Sequence, residues 1–188
     1  MNDTILITGA SSGIGEACAL HFDRLGWQVF AGVRREEDGE RLTANAGRRL
    51  VPVIIDVTDQ DSVEQAAKQI GTYLSDGSLT ALVNNAGVAV GGPVEYLPIE
   101  EWRRQFEVNV IGQIAVTQAV LPLIRGAGNR GRIVFMGSIG GRVASPLVGP
   151  YSASKHAIEA IAESMRHEFE GMGVRVVVIE PGAVRTPI

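Results

Sequence analysis

The chain has 188 residues, the length of one domain or slightly more, and its 45% hydrophobic content suffices for a substantial core. A formal charge of −4 and an isoelectric point near 5.4 exclude the basic footprint of a general nucleic-acid binder. No apolar run approaches a membrane span, and the start "MNDTILITG" enters a strand-like segment without the basic and long apolar regions of a signal peptide, so a cytoplasmic protein without a membrane partner is expected.

The first predicted strand, "TILIT" at 4 to 8, runs into "TGASSGIGEA", where Gly9, Gly13 and Gly15 are spaced G-x-x-x-G-x-G. Small residues here suit a tight turn, a close backbone approach to pyrophosphate and free amides at a helix N-terminus. The spacing differs from the G-x-G-x-x-G fingerprint, so taken alone the segment reads equally as a packing turn. In the helical pattern from 14 to 25, Cys18 shares a face with Ile14, His21 and Leu25. As the single cysteine it excludes an internal disulfide and reads as a packed thiol.

The second strand, "QVFAGV" at 28 to 33, ends in "AGVRREED". Where the dinucleotide fold places an acid for the ribose 2′-hydroxyl of NAD, this chain has Val33, followed by Arg34 and Arg35, which suit a 2′-phosphate. The competing reading is a solvated charge run in which both arginines pair with Glu36 to Asp38 on the following helix. The third strand is "LVPVIID" at 50 to 56, and "TDQD" at 58 to 61 fits a capped helix start with Thr58 as N-cap, opening a helical pattern from 59 to 74. "TALVNN" at 80 to 85 leads into "NNAG" at 84 to 87, at the carboxyl end of a strand, where open α/β sheets bind ligands.

A helical pattern from 101 to 124 follows, with Trp102, Phe106 and Val110 on its apolar face and Asn109 among them. "RIVFMG" at 132 to 137 precedes Ser138, a helical pattern covers 152 to 170, and "VRVVVIE" at 174 to 180 reads as a last strand buried on both faces. Strict alternation of strand and helix indicates right-handed βαβ units, hence a single doubly wound Rossmann-type domain with a parallel sheet and helices on both faces. His21, His156 and His167 show no metal-ligand spacing, and no metal is assigned.

Within "PYSASKHAIEA", Tyr151, Lys155, Ile158, Ala162, Met165 and Phe169 recur at the spacing of one helical face. Lys155 is the anomaly on that stripe. Alone it reads as a snorkelling side chain, yet a cation near a helix N-terminus meets the unfavourable end of the macrodipole.

Taken in order, "TGASSGIG", "DVTD", "NNAG", the Asn in "FEVNVIG", Ser138, "YSASK" and "PGAVRT" resemble the short-chain dehydrogenase/reductase family, loosely its hydroxysteroid and retinol dehydrogenase-like branch. The resemblance covers essentially the whole chain and implies sheet order 3-2-1-4-5-6. It implies that Tyr151 is the general acid in ketone reduction and the base in alcohol oxidation. Lys155 would hold the nicotinamide ribose and favour the tyrosinate, Ser138 would bind the substrate oxygen, and Asn109 would hold a water that passes on protons. Cofactor contacts are implied from Gly9, Ser11, Ser12, Gly13, Ile14, Gly15, Arg34, Asp56, Val57, Asn85, Ala86 and Gly87, with Asp56 meeting the adenine amino group. Pro181, Gly182 and Val184 would contact nicotinamide through the backbone, with Thr186 near the pyrophosphate.

The expected activity is NADP(H)-dependent interconversion of a secondary alcohol and a ketone, with NAD(H) as the lesser cofactor. A tyrosine pKa near 10 is too high for proton exchange at neutrality, and a cation a few ångströms away in a partly dry cleft lowers it. The alternatives are an epimerase or dehydratase on the same scaffold and a non-enzymatic dinucleotide sensor. The segments 87 to 98 and 141 to 149 carry few charges, so a largely apolar alcohol or ketone is the expected substrate. The family also implies a homodimer or homotetramer. Relatives of this type continue past the sixth strand into a mobile substrate lid and a further strand, whereas this sequence stops at "RTPI", so a longer natural protein is expected.

Overall fold

The computed structural model describes residues 3–74 and 77–185. Six parallel strands, β1 (Thr4–Ile7), β2 (Gln28–Val33), β3 (Leu50–Ile54), β4 (Ala81–Asn84), β5 (Arg132–Met136) and β6 (Arg175–Ile179), form one sheet in the order β3-β2-β1-β4-β5-β6. The expected order is therefore the observed one. The chain starts in the middle of the sheet and reverses direction between β1 and β4, and that reversal opens a crevice at the carboxyl ends of these strands.

Residues alternate across each strand, so the two faces collect different side chains. Leu6, Phe30, Val53, Leu82 and Phe135 pack beneath α3 (Gln60–Tyr73), α5 (Gly112–Gly126) and α6 (Gly149–Phe169) through Val63, Ile70, Val116, Val120, Ile158 and Phe169. Ile5, Ile7, Val29 and Val83 pack on the other face against α1 (Gly13–Arg24) and α2 (Glu36–Thr43), which contribute Ala19 and Leu42. Each such fully buried aliphatic or aromatic side chain contributes roughly 1.5–3 kcal/mol relative to an exposed one.

Two local expectations are corrected. Asp59, not Thr58, caps α3: its carboxylate accepts from the amides of Asp61 and Ser62 at 3.0 and 3.3 Å. The Thr58 hydroxyl is instead donated to Asp56 Oδ1 at 2.7 Å, which takes it away from the helix. Nor is β6 buried on both faces. Val176 is buried beneath α6, but Val177 and Ile179 are 43% and 47% exposed.

The helical pattern over 101 to 124 is one continuous run made of α4 (Ile99–Phe106), a π-turn at Glu107–Ile111 and α5. Contrary to the sequence reading, this run, Ile99–Gly126, is long and apolar enough by composition to cross a membrane, with mean hydropathy 1.4 in its most apolar window. Its buried side carries the polar residues Gln105, Asn109, Gln113 and Thr117 beside Val116 and Val120, and the amides of the first three bond to main-chain groups of residues 86 to 90. Those amides belong to a core helix that holds a loop in place.

Candidate active site

The turn after β1 depends on glycine at defined points. Gly9 has φ +65°, and a Cβ on it would lie 2.8 Å from Ala86 Cα. A Cβ on Gly15 would lie 2.2 Å from the Gly9 carbonyl oxygen and 2.5 Å from Asn85 Nδ2, so only hydrogen fits there. The loop is tied to the end of β4. Thr8 Oγ1 accepts from the amides of Asn85 and Ala86, both at 3.0 Å, and Asn85 Nδ2 donates to the carbonyls of Thr8 and Gly9 at 2.9 and 3.0 Å. α1 thus starts at the crevice, and Ser12 caps it without spending its side chain on the helix.

Two cavities open beside this turn and share Ile14, Asn85, Gly87 and Val88 in their walls, so they form one groove over the carboxyl edge of the sheet. The first arm, about 360 Å³, is lined by Gly9, Ser11, Ser12, Arg34, Asp56 and Val57. Arg34 faces this arm and has no salt bridge among the described residues, whereas Arg35 is held by Asp38 at 3.0 Å. The charge-run reading therefore holds for one arginine of the pair. The hydrogen bond from Arg35, reinforced by Arg41, keeps the Asp38 carboxyl below the usual range. Asp56 is likewise lowered, by hydrogen bonds from the Thr58 hydroxyl and amide, and still borders the cavity.

The second arm, about 300 Å³, brings together Asn109, Ser138, Tyr151 and Lys155 with Pro181, Gly182 and Val184. Tyr151 and Lys155 lie on successive turns of α6, with Nζ 5.7 Å from the centroid of the tyrosine ring. Lys155 is only 5% exposed, and Nζ donates to the Met136 carbonyl at 2.5 Å. Burial pulls its pKa from 10.5 down to about 8, with Glu159 opposing. Ser138 follows β5, and its Oγ accepts from the Gly140 amide at 3.0 Å. Gly140 is wedged against both groups: a Cβ on it would lie 3.2 Å from the Tyr151 ring and 3.4 Å from Ser138 Oγ.

Asn109 sits in the π-turn, a widening of the helix frequent at functional sites. Its Oδ1 accepts from the Val88 amide at 2.8 Å, and its Nδ2 donates to the Val88 carbonyl at 3.0 Å and to Ser154 Oγ at 3.3 Å. The side chain is thus spent on the loop and on Ser154. Thr186 lies outside the described residues.

Sequence reasoning missed three neighbours. Gln105, one turn before Asn109, accepts from the Val90 amide at 2.7 Å and donates to the Val88 carbonyl at 2.9 Å. Ser154 receives both amides and donates to the Tyr151 carbonyl at 2.7 Å. Arg104 borders the first arm from α4. The four-residue spacing of Gln105 and Asn109 on a helix was the available signal for the first of these.

The residues fit a dinucleotide. The first arm is bordered by a turn that leaves no room for a Cβ on Gly15, with two serines at a helix N-terminus and the Arg34 guanidinium beside Asp56, and it shares a wall with the arm of Tyr151 and Lys155.

Comparison with known proteins agrees. The family model for short chain dehydrogenases matches residues 3–188. An NADPH-dependent 3-dehydrocapnine reductase of Ornithobacterium rhinotracheale is 40% identical over 186 residues, covering 97% of this chain and 66% of the relative. Retinol dehydrogenase 5 of Mus musculus is 42% identical over 185 residues, covering 98% of this chain and 57% of the relative. The solved structure of ElxO with NADP bound superimposes with a TM-score of 0.92 at 26% identity, covering 100% of this chain and 76% of that one. The chain therefore spans from just over half to about two thirds of the length of these curated relatives. With the family model matching nearly every residue, the chain belongs to the short-chain dehydrogenase/reductase family.

Proposed function

We propose that the chain forms the cofactor-binding and proton-transferring core of an NADP(H)-dependent oxidoreductase that interconverts a secondary alcohol and a ketone. The observation that carries this reading is the single groove with Arg34 in one arm and Asn109, Ser138, Tyr151 and Lys155 in the other. The names of two relatives, an NADPH-dependent reductase and a structure with NADP bound, support the choice of cofactor.

The nicotinamide, when bound, supplies or accepts the hydride. Tyr151 gives its phenolic proton to the carbonyl oxygen during reduction and takes it back during oxidation. The Lys155 ammonium stabilises the phenolate left behind. Because Ser138 Oγ already accepts from Gly140, its own proton is free for the substrate oxygen. Arg34 meets a 2′-phosphate, and no acid stands at Val33 to repel it.

The segments 87 to 98 and 141 to 149 support an apolar substrate. The Gly92 amide donates to the Leu147 carbonyl at 2.7 Å and so joins the two charge-poor segments, on which Val94, Tyr96, Val143 and Leu147 are exposed. Leu147 adopts φ +67°, the strained left-handed region, to present that carbonyl. A cytoplasmic homo-oligomer is part of the same proposal, and size-exclusion chromatography tests the assembly. The activity is tested with a panel of apolar ketones and alcohols, each with both cofactors and with product identification. NADPH-linked formation of a secondary alcohol is expected, and an epimerised or dehydrated product without net cofactor turnover would overturn the reading.

A further inference from the structure

Behind Lys155 lies a charge network that takes no part in the proton transfer described above. One turn along α6 stands Glu159, whose side chain is 14% exposed. Its Oε2 lies 3.3 Å from Arg142 Nη2, and the same guanidinium reaches Glu180 Oε1 with Nε at 2.9 Å and Nη2 at 2.7 Å. Glu159 Oε1 is buried without a hydrogen-bond partner among the described residues and lies under Gly137, where a Cβ would come within 3.0 Å of it. The network joins three segments that wall the second arm: the turn after Ser138, the helix of Tyr151 and Lys155, and the stretch entering Pro181. The Ile139 amide also donates to the Pro181 carbonyl at 3.1 Å.

A structural clamp between the turn and β6 needs only Arg142 and Glu180. It does not need a carboxylate buried beside the active-site wall with one oxygen unsatisfied, an arrangement that costs free energy. What Glu159 has that Glu180 lacks is its place one helical turn from Lys155, on the buried side of α6. We propose that Glu159 is the counter-charge of Lys155, a positioning residue that keeps the lysine cationic in its buried place, and that Arg142 holds it there. The proposal rests on the role given to Lys155 above.

The charged surroundings are consistent with this. Tyr151 and Glu159 are the titratable neighbours of Lys155 on α6, and β5 offers it the neutral Met136 carbonyl. From α4 and the π-turn, the groups bonded to α6 are the neutral amides of Gln105 and Asn109. Arg142, Glu180 and Arg166 act on Glu159, and Glu163 acts on Arg142. Burial raises the Glu159 carboxyl above its usual range, while Glu159 in turn opposes the burial that lowers Lys155.

The 188 residues contain two lysines, Lys68 and Lys155. The test is therefore an NMR titration of the cofactor-free protein labelled with 13Cε-lysine, with the Lys68 signal identified by Lys68→Arg. The Lys155 midpoint is expected near pH 8, the value set by its burial. Glu159→Gln should lower it by roughly one pH unit, Glu159→Asp should restore it, and Glu180→Gln, which loosens the clamp but spares the counter-charge, should leave it in place. In the wild type the Lys155 signal should also show a second, smaller inflection in the acid range as Glu159 protonates, a readout that requires no variant to fold. An unmoved midpoint in Glu159→Gln, an equal shift in Glu180→Gln, or a wild-type titration without the acid inflection would overturn the proposal. None of these readouts depends on turnover, so failure of the proposed activity would show separately.

Discussion

The most informative perturbation is Lys155→Met, because the structure predicts opposite effects on stability and on catalysis. Burial lowers the lysine from 10.5 to about 8. That difference corresponds to about 3 kcal/mol by which the folded, cofactor-free protein disfavours the ammonium. The folded pKa lies below the unfolded one, so between pH 8 and pH 10 the unfolded chain binds more protons and stability rises with pH. The penalty is fully present below about pH 8 and is relieved as pH climbs toward the unfolded value. Methionine removes the charge at similar length, and the lost charge-assisted hydrogen bond to the Met136 carbonyl offsets the gain by about 1.5–3 kcal/mol. The variant should therefore be more stable by up to about 1.5 kcal/mol at pH 7, a rise in Tm of up to roughly 6 °C for a domain of this size. Its advantage should shrink toward pH 10, and cofactor binding and turnover should both be lost. Urea denaturation of both proteins without cofactor, from pH 6.5 to 10, measures this. A stability difference that does not vary with pH would refute the argument from burial, even if the variant were inactive.

Three further perturbations separate the parts of the groove. Arg34→Ala should weaken NADP(H) by roughly 1.5–3 kcal/mol and leave NAD(H) little changed in calorimetric titration; equal losses for both cofactors would remove the 2′-phosphate contact. Gly15→Ala places a methyl 2.2 Å from the Gly9 carbonyl, so a loss of about 1–3 kcal/mol in stability together with loss of NADP(H) binding is expected by thermal melting and titration. Gln105→Leu strands the Val90 amide and leaves the Val88 carbonyl to Asn109 alone, and steady-state kinetics should show impaired turnover with cofactor affinity nearly unchanged, since Gln105 touches the loop and lines neither arm.

The sheet was legible because parallel strands covered by helices read as β-branched runs, and the observed strands differ from expectation only by a residue or two at their ends. α2 was expected as the helix after Arg35, but its extent was not legible: of its eight residues "EEDGERLT" only Leu42 is apolar and buried, so it shows no apolar periodicity, and its place is set by packing Leu42 into the core. The N-cap slipped by one residue because Thr58 and Asp59 both have capping chemistry, and only the fold shows that Asp56 captures the threonine hydroxyl. Tyr151, Lys155 and the glycines could be placed because they fall in short contiguous motifs that resemble those of the family. Gln105, Ser154 and Glu159 could not, since their partners lie on other segments of the chain, and the π-turn around Asn109 has no periodic signature of its own.

The central claim is that Tyr151 moves the proton beside Lys155 in the second arm of the groove. Its most direct test is Tyr151→Phe, which removes one hydroxyl from a ring held against Gly140 and leaves the walls of the first arm untouched. Single-turnover oxidation of bound NADPH by an apolar ketone should slow by about 10²–10⁴-fold in the variant, while the dissociation constant of NADPH stays within a few-fold of wild type. Turnover close to that of the wild-type protein would contradict the account.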